Sequence, residues 1–145
     1  MRNDERVVVM ERTNARYVEG FGEPISLITI DASFISLKIF LPVFKKWFAD
    51  EKGEVVALIK PQFEAGRKET ARGDGVIRDA VVHRQVLHEI LSAAEAEGYA
   101  ITGLIRSPLY GPKGNTEFLV HLELPGRNLK SLEEWIAPLF VEPAE

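Results

Sequence analysis

The chain contains no cysteine in its 145 residues, so disulfides, thiolate metal ligands and cysteine nucleophiles are excluded and the fold must rest on packing alone. Histidine is scarce at three copies. His83 and His121 have no partner at metal-ligand spacing, so both read as structural and no metal site is expected. Uninterrupted apolar runs stay well short of the ~20 residues that cross a bilayer. The leading MRNDERVVV mixes both charge signs around a short apolar run, unlike a signal peptide or transit segment. An excess of positive charge is also missing. With a formal charge of −4 and a pI near 5.5, any contact with nucleic acid must come from a local basic patch or from another module. What remains, 46% apolar and 28% charged residues, fits one soluble α/β domain of ordinary size in the cytosol.

Short β-branched or apolar runs suit strands buried on both faces, where alternation is unnecessary. Such runs predict strands at residues 6–10 (RVVVM), 26–30 (SLITI) and 54–59 (EVVALI). Leu37, Phe40, Leu41, Phe44, Trp47 and Phe48 follow the spacing of one helical face, with a kink or restart expected at Pro42. Residues 62–78 carry three glycines and no clear period and read as a long surface loop. Asp79 caps the next helix, whose stripe of Val82, Val86, Leu87, Ile90, Leu91 and Ala94 ends at Gly98. Residues 100–106 and 116–123 are expected to form an antiparallel strand pair around the turn-rich SPLYGPKGN. That connection lacks the strand-loop-helix context of a phosphate cradle. A last helix over residues 131–140 would be capped by Ser131. The order implies α/β layers on a mostly parallel sheet with an antiparallel terminal pair.

Ligands of open α/β sheets gather at the carboxyl ends of strands. Glu11, Asp31 and Lys60 occupy the first positions beyond the predicted strands, and all three are ionisable. A lysine beside a carboxylate serves as a base if its proton affinity is lowered, or as a fixed cation if the carboxylate dominates. A plain ion pair closing the sheet is the competing account of Asp31 and Lys60. Arg67, Lys68, Arg72 and Arg78 make the long loop basic, suited either to RNA phosphates or simply to solvent.

ERTNAR (residues 11–16), DASFISLK (31–38), ALIKPQFEAGR (57–67), GVIRDAVVH (75–83) and SPLYGPKGNTEFLVHL (107–122) occur in this order. The series resembles the signatures of the hemolysin A/TlyA family, FtsJ-related ribosomal RNA 2'-O-methyltransferases. The resemblance implies a Rossmann-like class I methyltransferase fold, S-adenosylmethionine as cofactor and ribosomal RNA as partner. It also implies a lysine, aspartate, lysine, glutamate tetrad. Asp31, Lys60 and Glu117 match three members as catalytic residues, and the first lysine has no counterpart. Glu11, Asn14, Asp31, Ser33 and Phe34 would border the cofactor, and Arg67, Lys68, Arg72 and Arg78 would meet RNA. For Asn14 a helix cap is the alternative, and for Glu117 a solvent-facing place in an alternating strand.

The family's glycine-rich loop and acidic ribose-binding residue lie on segments with no match in this chain. The chain therefore reads as a single partial domain over residues 1–145, truncated, starting at strand 3 and lacking strands 1 and 2, which are central in the implied order 3-2-1-4-5-7-6. Residues 6–10 would then either dock beside residues 26–30 or pair across a homodimer through the exposed sheet edge. Weak cofactor binding and no activity of this chain alone are expected. The alternative is a non-catalytic remnant or oligomeric RNA-binding module of the same fold. Membrane lysis is discounted for want of a basic amphipathic helix.

Overall fold

The computed structural model describes residues 2–141. Strands β1 (Leu27–Ile30), β2 (Gly53–Ile59), β3 (Ala100–Arg106) and β4 (Phe118–Leu124) form one sheet in the order β1-β2-β4-β3. Only β1 and β2 run parallel. The expected antiparallel pair of β3 and β4 is present, but the expectation of a mostly parallel sheet is corrected, because β4 lies antiparallel to β2 as well. The connection over residues 107–117 returns the chain beside β3, which fixes one antiparallel pair. Inserting the returning strand between β3 and β2 creates the second. The strand order nevertheless coincides with the 4-5-7-6 end of the series implied by the resemblance.

Period-two alternation divides the two central strands between faces. Val55, Ala57 and Ile59 of β2 and Phe118, Val120, Leu122 and Leu124 of β4 are buried. They join the apolar stripes of α1 (Leu37–Trp47) and α4 (Ala80–Ala96) in one core. On the other face, Glu54, Val56 and Leu58 alternate with them and are exposed or half-buried. Helix α1 begins at Ser36, whose side chain accepts from the Lys38 amide, and it buries Leu37, Phe40, Leu41 and Phe44. No restart occurs at Pro42. The proline is exposed, and the carbonyl deprived of its donor belongs to Lys38, which is also exposed; water can take that carbonyl's free lone pair. Asp79 caps α4 by accepting from the Val81 amide at 2.8 Å, and Gly98, at φ +90°, ends it. The final helix α5 (Leu132–Ile136) has the reciprocal cap of Ser131 and Glu134. It continues as a 3-10 turn over Ala137–Phe140, where Pro138 cannot supply an α-helical donor.

Two other expectations are corrected. Residues 6–10 form no strand: Val8, Val9 and Met10 are 83%, 46% and 49% exposed and pair with nothing in the sheet. β-propensity describes fit to a pleated, half-buried surface, and this run has none against it. Docking of this segment beside β1 is absent, so β1 ends the sheet. Residues 62–78 are not one loop either. They include most of α2 (Pro61–Glu64) and all of α3 (Arg67–Arg72), helices too short to display an amphipathic period.

Polar contacts from these short elements hold the loops around the sheet's carboxyl end. Glu64 accepts from the Leu37 amide at 2.8 Å and from the Ser36 hydroxyl at 2.6 Å, tying α2 to the start of α1. Asn115, 2% exposed, accepts from the Ile77 amide at 2.9 Å and donates to the Gly75 and Pro112 carbonyls at 2.9 and 3.0 Å. The buried His83 ring donates from Nε2 to the Ile77 carbonyl at 2.8 Å. Gly73 is required by packing, because a Cβ there would lie 1.9 Å from the Val76 carbonyl oxygen.

Removing the Glu64 carboxylate takes two partners from the start of α1. Glu64→Ala is expected to lower stability by about 1.5–3 kcal/mol, the range for hydrogen bonds to a charged group, measured by urea unfolding. His83 supplies a pH test. Burial lowers its proton affinity; the Ile77 carbonyl opposes this and Arg106 adds to it. An unfolded histidine titrates near ~6.5, so just below that pH the unfolded chain binds more protons than the folded one. This contribution to stability is full above about pH 6.5 and is lost as the pH falls through the window beneath it. Glu64, whose carboxyl burial pushes above the ordinary range, acts with the opposite sign at more acidic pH. The readout is therefore a difference: His83→Gln, which keeps a donor for Ile77, should show a shallower fall in Tm than the parent between about pH 7 and 5.5.

Candidate functional site

Strand register assembles the site. Ile30, the last residue of β1, pairs with Ala57 of β2, so the chain leaving β1 passes alongside the end of β2. Antiparallel β4 begins at the same rim, and the pairing of Ile59 with Phe118 makes Lys60 and Glu117 the next residues in register. Lys60 Nζ forms an ion pair with Asp31 Oδ1. The same ammonium lies 3.4 Å from Ser33 Oγ and 5.9 Å from the centre of the Phe63 ring. Asp31 is exposed whereas Lys60 is 9% exposed, so the ammonium sits inside the rim with its counter-charge at the mouth. Glu117 is 5% exposed, which overturns the solvent-facing alternative. The three expected catalytic positions thus share one rim, where Asp31 and Lys60 touch and Glu117 is held separately.

Two neighbours of Glu117 were not singled out from sequence. Gln62 Nε2 donates to Glu117 Oε2 at 2.7 Å, and Gly111 backs the same carboxylate so closely that a Cβ there would lie 2.1 Å from Oε2. Gln62 stands two residues after Lys60 in KPQFE, the only signal that it shares the rim. Gly111 was legible only as a turn residue.

The expected cofactor-bordering residues divide. Asp31, Ser33 and Phe34 lie at the rim, with the Phe34 ring 4.7 Å from that of Phe63. Glu11 and Asn14 are not brought to it by any contact. Glu11 is exposed and pairs with Arg2. Asn14 caps the 3-10 turn Ala15–Tyr17 by accepting from the Arg16 amide at 3.0 Å, so the cap is the role seen. Beside the free edge of β1 runs an apolar slot of about 220 Å³, lined by Ala15, Ile28, Ile30, Ala32, Phe40 and Trp47 among others. Its volume and lining suit a flat ring, but its walls carry no charged anchor. Among the described residues the rim thus gathers Asp31, Ser33 and Phe34 of the expected cofactor border, and the slot beside β1 adds an apolar bed without a charged anchor.

Arg67, Lys68, Arg72 and Arg78 are all exposed on and after α3. Arg72 also reaches Glu69 at 3.7 Å. Arg67 borders a cleft of about 400 Å³ together with Phe34, Gln62, Phe63 and Thr70, which places one of the four cations next to the rim. Far from it, strand pairing gathers Glu54, His121 and Glu123 with their ligating atoms within 4.8 Å of one another. His121 Nε2 lies 2.9 Å from Glu54 Oε1. Linear spacing cannot reveal this cross-strand cluster, which gives His121 the carboxylate neighbours that its place in the sequence did not suggest.

Comparison with known proteins bears on the family and the fold. A model of the FtsJ-like methyltransferase family matches residues 1–124. The chain is 46% identical over 139 residues to the rRNA methyltransferase candidate YqxC of Bacillus subtilis, covering 92% of this chain and 48% of the relative. It is 40% identical over 124 residues to the 16S/23S rRNA (cytidine-2'-O)-methyltransferase TlyA of Mycobacterium tuberculosis, covering 84% and 46%. The crystal structure of a hemolysin candidate from Lactococcus lactis superposes with a TM-score of 0.84 at 42% identity, over 94% of this chain and 68% of that one. The chain spans about half the length of the curated relatives it matches. No helix among the described residues is long and apolar enough to cross a membrane. The five sequence signatures, the 4-5-7-6 strand order and these matches agree: the chain belongs to the FtsJ-like methyltransferase family.

Proposed function

We propose that this chain supplies the substrate-side rim of a cytoplasmic ribosomal RNA ribose 2'-O-methyltransferase that uses S-adenosylmethionine. The observation that carries the proposal is the placement of a nearly buried lysine, ion-paired to Asp31, in register beside a buried glutamate at the carboxyl end of a parallel strand pair. When bound, the cofactor supplies a methyl group already activated on a sulfonium. What the chain must add is orientation, the main source of acceleration when the electrophile is preformed. As the neutral amine, Lys60 Nζ accepts the proton of the ribose 2'-hydroxyl; as the ammonium held by Asp31, it orients that oxygen for in-line attack. Glu117 positions the ribose from the β4 side. Asp31, Ser33 and Phe34 would border the adenosine side of the cofactor, and the cations of α3 would meet RNA phosphates at a salt-sensitive cost.

The described residues provide no glycine-rich strand-to-helix turn and no carboxylate placed for the cofactor ribose. The chain by itself is therefore proposed to bind the cofactor weakly and to be inactive. Titration calorimetry with S-adenosylmethionine should show no micromolar association, and a micromolar Kd would contradict the idea that the anchoring half lies elsewhere. The catalytic assignment needs an active context. Residues of this chain can replace the matched segment of the Mycobacterium tuberculosis relative, and methyl transfer to ribosomal RNA can be followed with labelled cofactor. Lys60→Met in that chimera is expected to lower kcat by about 100-fold or more, as loss of a general base or orienting group does, with Tm preserved. An inactive parent chimera, or a Lys60→Met variant within about threefold of its parent, would sink the assignment.

A further inference from the structure

We infer that Gln62 is a positioning residue that acts through Glu117, an inference that presupposes methyl transfer at this rim. Gln62 is 6% exposed, and its Nε2 donates to Glu117 Oε2 at 2.7 Å. Its own Oε1 has no partner, and it is the single buried side-chain polar atom left unpaired among the described residues. Turning the amide over does not cure this, since a carbonyl would then face a carboxylate and both are acceptors. The orientation is therefore dictated by Glu117, and the unpaired carbonyl is what that orientation costs the fold. A side chain chosen for packing alone would leave no polar atom unpaired here.

The bond has a geometric consequence. Gln62 fixes Glu117 Oε2 on one side, while Gly111, whose Cβ would fall 2.1 Å from that oxygen, leaves just enough room on another. Glu117 Oε1, by contrast, receives no side-chain hydrogen bond from the described residues. One carboxylate oxygen is thereby clamped, and the other is left for a ligand. Pro61 starts α2 directly after Lys60, and the Thr70 hydroxyl donates to the backbone carbonyl oxygen of Gln62 at 3.3 Å. The tripeptide Lys60, Pro61, Gln62 thus holds both carboxylates of the rim, Asp31 through the ammonium and Glu117 through the amide.

The test is a double-mutant cycle in the chimera described above, with a check on the chain itself. Gln62→Leu is expected to lower kcat about tenfold, the effect of one lost orienting hydrogen bond, with the KM for RNA changed less than about twofold. In a Glu117→Gln background the same substitution should add less than about twofold, because the two act as one unit. A loss that multiplies with that of Glu117→Gln, or that falls on KM alone, overturns the inference. Should Gln62→Leu fold poorly, Gln62→Glu serves instead. It lacks a donor while ionised and regains one when protonated, so its kcat should fall at neutral pH and recover on acidification relative to the parent; a deficit independent of pH counts against the role. In the unmodified chain, the Gln62 side-chain amide protons should exchange slowly by NMR and lose that protection in Glu117→Ala, and protection that persists would likewise refute it. If Lys60→Met leaves the chimera active, the methyl-transfer reading itself fails. If Lys60→Met abolishes activity while Gln62 and Glu117 behave independently, only the present inference fails.

Discussion

The antiparallel register between β2 and β4 is the constraint on which the rim depends. A strand running the other way would deliver its first residues to the opposite end of the sheet, and Glu117 would stand about 20 Å from Lys60 at ~3.3 Å per residue. Because Ile59 faces Phe118, a residue leaving one strand and a residue entering the other become neighbours although they are far apart in sequence. The parallel pairing of β1 with β2 adds Asp31 from the other side. Acidic groups on two flanking strands thus bracket the one lysine on the strand between them, and sheet hydrogen bonding, rather than loop conformation, sets their spacing.

Helices then hold what the strands have placed. Ser36 and Glu64 fasten the loop after β1 to α2, so Asp31, Ser33 and Phe34 lie on a segment tied at both ends. Burial works on the two groups in different ways. Lys60 is nearly enclosed but has an exposed counter-charge, whereas Glu117 is enclosed beside an uncharged amide. An enclosed carboxylate served by a neutral donor retains more of its field than one neutralised by a cation at contact distance.

Much of this was legible before any coordinates. The β-branched runs at 26–30 and 54–59, the apolar stripes of α1 and α4 and the cap at Asp79 fixed the layers, and the strand-exit rule pointed to Asp31 and Lys60. Glu117 came from resemblance, since an isolated glutamate before a strand has no local signature. The failures have physical causes. Strand direction is a property of pairs, so the antiparallel β3–β4 pair was legible from its turn-rich connection, whereas the insertion of β4 beside β2 was not. RVVVM at 6–10 has the composition of a strand but no partner on which to realise it. Helices of four and six residues, α2 and α3, hide within a glycine-containing stretch because they complete too few turns for a stripe to emerge. Gln62 and Gly111 were invisible for a related reason: their importance lies in what they touch.

Asn115 ties residues 75–77 to the turn at Pro112 through three hydrogen bonds, and Lys113 adds a fourth to the Asp74 carbonyl at 3.0 Å. Two connections that a topology diagram would draw as separate are therefore riveted into one plate along the flank of the rim, and mechanically they move together. A force applied to the strand-joining turn would be carried to the linker ahead of α4 instead of dissipating where it lands.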